Sequence, residues 1–115
     1  MVVLLGGLND IRDLHRAQVD KGELGTDGTA PNESQTDLVA GVGATELAVT
    51  ITSADKTNVF SYVLLSGVGA GNTYREFKIE DSVNGVNYDR CTFTGVAHTA
   101  NDDLIVKKTW FYRNP

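Results

Sequence analysis

The 115-residue chain is 41% hydrophobic and 22% charged, and 10 Lys and Arg against 15 Asp and Glu leave a formal charge of −5. This length suits one domain that buries roughly two-thirds of its unfolded surface, so a multidomain enzyme is excluded, and the apolar content excludes a disordered chain. The closest cations, Lys107 and Lys108, sit among alternating apolar residues and form no phosphate-binding track, so no nucleic-acid partner is expected.

At the start of the chain, Leu4 or Leu5, Leu8, Ile11 and Leu14 or His15 recur at three- and four-residue spacing, with Arg12, Asp13, Arg16 and Asp20 mostly on other faces. The pattern predicts a short amphipathic helix over residues 5–21, capped by Gly22, with Lys21 placed against the helix dipole. Its apolar residues are too few to form a core, so it must lie on a sheet or on another subunit. The apolar run before Asn9-Asp10 is short and lacks a basic flank, so no export signal is expected. No stretch approaches the ~18 apolar residues of a membrane-spanning helix, and no membrane partner is expected.

Residues 22–36 have the Gly, Thr, Asp, Asn and Ser composition of an ordered loop. Beyond them the period becomes two. Leu47, Val49 and Ile51 alternate with polar residues, residues 59–65 are apolar on both faces, and the polar link over residues 53–58 has hairpin length. After a glycine-rich breaker at residues 67–72, residues 74–81 place Phe77 and Ile79 on one face. Asn84-Gly85 predicts a type I′ turn into a strand over residues 87–94, and Asn101-Asp102-Asp103 turns the chain into a last strand over residues 104–112. The expectation is a mainly β fold: an antiparallel β-sandwich of five to six strands with a short N-terminal amphipathic helix. Residues 1–22 would form a helical docking segment and residues 23–115 the sandwich domain.

Candidate chemistry is sparse. Cys91 is the single cysteine, lies in a strand-like run and reads as a small core residue; His15 and His98 are distant in sequence. Gly41-Val42-Gly43, Gly67-Val68-Gly69-Ala70-Gly71 and Gly25-Thr26-Asp27-Gly28-Thr29 lack the spacing or the lysine of nucleotide loops. His98 with Asp102 and Asp103 offers three ligand types on one turn, and Asp81, Asn84, Asn87 and Asp89 surround a hairpin without calcium-loop spacing. No carboxylate pair is recognisably held away from solvent, and no serine sits in a nucleophile elbow. No enzyme activity, cofactor or metal is expected. In the final strand Trp110 and Tyr112 share one face and Phe111 takes the other, so one of these faces needs either a core or a neighbouring chain.

The order of a Gly7-Leu8-x-x-Ile11-Arg12-Asp13 helix, the segment Gly25 to Pro31, Thr36-Asp37-Leu38, Arg75-Glu76-Phe77-Lys78-Ile79, and Asp89 to Gly95 before an apolar last strand resembles small virion structural proteins. The family is that of tailed bacterial and archaeal viruses, of the tail-fibre, collar and neck-accessory kind. The resemblance implies a non-enzymatic β-sandwich that assembles in the host cytoplasm as a symmetric oligomer and docks on another virion protein at the tail, neck or fibre attachment. The expected contacts are Leu4, Leu5, Leu8, Ile11, Trp110 and Tyr112. In such proteins the segment over residues 25–38 crosses from helix to first strand; here Leu38 is expected to pin it to the core, with Thr36 or Asp37 bonding backbone amides. A chain ending at Pro115 has no repetitive shaft, which favours an adaptor or decorating role over direct host recognition. The alternatives are a capsid-surface decoration or turret protein, and a carbohydrate-binding module stacking sugars on Trp110, Tyr74 or Tyr88.

Overall fold

The structure, a computed structural model, describes Val2 and residues 4–114; Met1, Val3 and Pro115, part of the terminal runs considered above, lie outside the described residues. Helix α1 (Leu5–Gln18) precedes β1 (Lys21–Gly25), a 3-10 turn (Gly43–Thr45), β2 (Leu47–Ala48), β3 (Thr50–Ala54), β4 (Thr57–Leu64), β5 (Thr73–Asp81), β6 (Val86–Ala97) and β7 (Leu104–Phe111). These strands form two antiparallel sheets, in the orders β2-β1-β5-β6 and β3-β4-β7. Alternate residues of each sheet face the other. Leu24, Tyr74, Phe77 and Ile79 of the first meet Phe60, Tyr62 and Leu64 of the second, all fully buried, and the rings of Tyr62 and Phe77 cross edge-on at 5.2 Å. The mainly β, two-sheet architecture with one N-terminal helix is therefore as expected.

Three local expectations are corrected. The helix ends at Gln18, not at residue 21, because Val19 drops into the core and the Asp20 N–H donates to the Glu80 carbonyl at 3.0 Å, which starts sheet pairing. Lys21 and Gly22 accordingly begin a strand instead of capping the helix. The glycines that suggested a loop are there for close approach: a Cβ on Gly22 would stand 2.8 Å from the Phe77 ring, and one on Gly25 would stand 2.7 Å from the Ala40 carbonyl. Residues 47–51 are also not one strand. They switch sheets at Val49, with β2 pairing β1 and β3 pairing β4.

The turn at Asn84-Gly85 is a four-residue connection between Asp81 and Val86. Of its residues only Gly85 takes a positive φ, at 70°, so the turn is not type I′. Asp81 directs it instead, its Oδ1 accepting the N–H groups of Val83 at 3.1 Å and Asn84 at 3.0 Å. On β6, the register passes from Ile79–Asp89 to Glu80–Asn87, which leaves Tyr88 as an extra residue bulged toward α1.

Candidate functional site

Helix α1 sits on the sandwich by a polar contact, and its apolar ridge faces out. Asn9 Oδ1 accepts the Lys56 N–H at 2.9 Å, and Arg12 donates to the Ala54 carbonyl at 2.6 Å, so both hold the β3–β4 turn. Asn58, fully buried, donates through Nδ2 to the Arg12 carbonyl at 2.9 Å and to the Tyr112 hydroxyl at 3.0 Å. His15 Nδ1 lies 2.8 Å from the same hydroxyl, and its ring packs against Trp110 at 5.2 Å and Tyr88 at 5.7 Å. Leu8 is the one helix residue fully inside. Beside this bonded side, Leu4, Ile11 and Leu14 form a stripe that stands 76%, 41% and 54% exposed, and Leu5, between Asn9 and Arg12 around the helix, is 50% exposed at its first turn.

Burial holds the His15 imidazole below its ordinary value of 6.5. The groups facing it are Tyr112, Trp110 and Tyr88, none of them a carboxylate. A histidine harder to protonate when folded contributes stability above the unfolded value, and that contribution is lost as the pH falls below 6.5. The thermal midpoint is expected to drop on acidification through this window, and to drop less in His15→Phe. An identical slope in the two proteins contradicts the assignment.

Of the expected contact residues, Leu4 and Ile11 lie on this open stripe, and Leu5 is exposed on the side of Asn9 and Arg12. Leu8, Trp110 and Tyr112 do not lie on the stripe. The Trp110 indole N–H donates to Asp89 Oδ2 at 2.9 Å and its ring packs on Phe60 at 4.9 Å; Tyr112 is buried beneath α1. The alternation in the last strand was legible, and the structure assigns its Trp110–Tyr112 face inward and Phe111 outward. Leu14, Val63, Leu65 and Ile105 join the exposed apolar set, with Val63 and Ile105 directly opposite one another on the outer face of β4 and β7. Between the free edges of β6 and β7 runs an apolar groove of about 330 Å³ containing Cys91, Phe93, Val96 and Leu104.

The other outer face, that of β1, β5 and β6, is unlike an ordinary solvated sheet face. Glu76, Lys78 and Glu80 alternate with the core residues of β5, yet all three are buried. The segment over residues 26–46 covers them. Glu76 accepts from Arg90 Nε at 2.8 Å, from the Val39 and Ala40 N–H groups at 2.8 Å each, and from the Asp27 N–H at 3.1 Å. Burial by itself would raise its carboxyl, but the guanidinium and three amides outweigh it and hold it below the usual glutamate range. Arg90 also donates to the carbonyl of Thr29 at 2.7 Å and to that of Asp27 at 3.2 Å. Lys78 reaches Asp37 at 2.8 Å, Asn87 at 2.9 Å, Glu80 at 3.3 Å and Glu23 at 3.6 Å. Burial opposes its charge, and these carboxylates raise its pKa nonetheless.

Asp37 does bond a backbone amide, that of Leu38 at 2.7 Å. Leu38 itself is half-buried and stands outside the core cluster, so Glu76, Arg90 and Lys78 anchor the covering segment in its place. The expectation that no carboxylates are held away from solvent is likewise corrected by Glu76, Glu80 and half-buried Glu23. The available signal was the alternation Glu76, Lys78, Glu80 on a strand together with a long segment without periodicity elsewhere in the chain, since such a segment must lie on something.

The remaining candidates diverge. His98 is buried with Nε2 3.1 Å from the Leu65 carbonyl, and Asp103 accepts the Ser66 N–H at 2.7 Å. Asn87 is bound to Lys78, and Asp89 to Trp110 and Lys108, away from the Asp81 turn. Burial pushes the half-buried Cys91 thiol up, away from the thiolate a nucleophile needs. Of the three rings considered for sugar stacking, Tyr74 is fully buried and Trp110 is held under α1, which leaves no platform of adjacent rings. No described helix is long and apolar enough to cross a membrane. No family model, no curated protein and no solved structure matches this chain.

Proposed function

We propose that this chain is a non-enzymatic structural subunit that assembles with copies of itself through α1, as a component of a tailed-virus particle at the tail, neck or fibre attachment. The observation that carries the reading is the exposed ridge of Leu4, Ile11 and Leu14 on a helix whose other side is already bonded to the sandwich. The occupant is a second copy. Leu4, Gly7, Ile11 and Leu14 recur at intervals of three and four, a seam that pairs with its own equivalent, and Gly7 in its middle admits a neighbouring helix closely.

One such ridge buries less than the ~800 Å² per partner of a stable pairwise interface. Self-pairing of α1 gives a two-fold dimer, so closing a larger ring takes a second self-pairing patch on every subunit. The second patch is the outer face of β4 and β7, where Val63, Leu65, Ile105 and Phe111 also face solvent. The resemblance of the residue order to small virion proteins is the ground for taking the particle as the larger assembly. A capsid-surface decoration would be the same ring on a different neighbour.

Sedimentation equilibrium over a wide concentration range, followed by electron microscopy of particles carrying the tagged chain, tests this. A closed oligomer and tag density at the tail or neck are the expected results. A monomer at every concentration overturns self-assembly, and tag density spread over the capsid overturns the tail position. Removing residues 1–14 would be a poor substitute, because Asn9 and Arg12 hold the β3–β4 turn and Asn58, and Leu8 is buried.

A further inference from the structure

Three carboxylates from separate elements meet at one end of the covered outer face: Glu23 on β1, Glu46 after the 3-10 turn, and Glu80 on β5. One oxygen of each lies within 4.8 Å of the other two. Two cations are near. Lys21 is 3.7 Å from Glu46, and Lys78 reaches Glu23 and Glu80 only at 3.6 and 3.3 Å while making its shorter contacts to Asp37 and Asn87. With Asp37 included, four carboxyls share two ammonium groups, a formal excess of two negative charges that burial and crowding oppose by raising the pKa of Glu23 and Glu80.

Glu80 provides an independent sign that a ligand is missing from this balance. It is 6% exposed, and its Oε1 has no hydrogen-bond partner among the described residues. A buried carboxylate oxygen without a donor is costly and rare in folded proteins. Its Oε2 is turned to Lys78, and its carboxyl also meets that of Glu46, a contact that raises its pKa because two carboxylates can bond only through a shared proton; a cation takes that proton's place.

The geometry points to a divalent cation of the calcium type held by Glu23, Glu46 and Glu80. Oxygens no more than 4.8 Å apart suit a common ion at calcium–oxygen distances of about 2.3–2.6 Å. The donor set is carboxylate only, which favours a hard cation over zinc or copper. Glu46 is partly exposed, so water completes the coordination from that side, where irregular geometry suits calcium better than magnesium. A charge of two matches the local excess and ties the segment before β2 to β1 and β5.

The test is titration of the full chain with CaCl₂ after chelator treatment, followed by calorimetry and thermal melting at matched ionic strength. A saturable one-site isotherm and a raised melting temperature are expected. Glu46→Gln, a partly exposed position whose change leaves the core intact, should weaken binding at least about tenfold, because affinity follows ligand charge. Glu80→Gln should do the same. No saturable heat, an equal rise in KCl, or an unaltered isotherm in Glu46→Gln overturns the site.

Discussion

Replacing Glu76 by glutamine is expected to destabilise the domain by about 3–5 kcal/mol, the usual cost of removing one member of a buried ion pair. Glu76 is fully buried and accepts four hydrogen bonds, one from Arg90 and three from backbone amides of the covering segment. Glutamine keeps one acceptor oxygen but turns an NH₂ group toward those donors, and it leaves the Arg90 guanidinium, whose side chain is 5% exposed, with only the more distant Asp27 carboxylate at 3.6 Å as a countercharge. Urea unfolding should show a lowered midpoint with an unchanged slope, and limited proteolysis should cut within residues 26–42. The double variant Glu76→Leu with Arg90→Met should lose less than the sum of the two single changes, because neither charge is left uncompensated, although the amides of Asp27, Val39 and Ala40 still lose their acceptor. A Glu76→Gln protein within ~0.5 kcal/mol of the parent would show that the network is not what holds the segment down. The acid limb carries a second signature. A carboxyl held below its ordinary range contributes stability above the unfolded value that is lost as the pH falls through the folded one, so the variant should lose stability less steeply in acid.

Ile11→Asp combined with Leu14→Asp is expected to abolish self-association and leave the fold intact. Both residues are exposed within the chain, so each change should alter folding stability by no more than ~0.5 kcal/mol. In the assembled state each side chain would bury apolar surface contributing about 1.5–3 kcal/mol. Losing both weakens association by roughly 10²–10⁴-fold. Leu8→Asp makes the contrast, because Leu8 faces the sandwich and its replacement should loosen α1 itself. Native circular dichroism with a monomeric mass is the expected result for the double variant. An oligomer as strong as the parent's would remove α1 from the interface.

Both predictions concern features that were only partly visible in the order of residues. The Ile11–Leu14 stripe was legible as an apolar face, and the expectation that the helix lies on a sheet or on another subunit left open which of the two its apolar face meets. Here the polar side of the helix meets the sandwich. Asn9, Arg12 and His15 find donors and acceptors on the β3–β4 turn, Asn58 and Tyr112, and bonds to such distant residues have no sequence period to announce them. β1 was missed for a related reason. Its Gly22 and Gly25 look like turn formers, and only Phe77, Glu76 and Ala40 crossing close by explain why no side chain fits there.

The sequence by itself determined the mainly β composition, the hairpin between residues 50 and 64, the β5–β6 pair around Gly85 and the helix before them. Those are local properties: alternation, turn chemistry and helical spacing act over fewer than about ten residues. Tertiary structure alone decided which side of α1 stays open, that Trp110 and Tyr112 serve the interior, and that Glu23, Glu46 and Glu80 meet. Each depends on groups brought together across two sheets, and the free energy of placing a charge or an apolar side chain is set by what surrounds it in space.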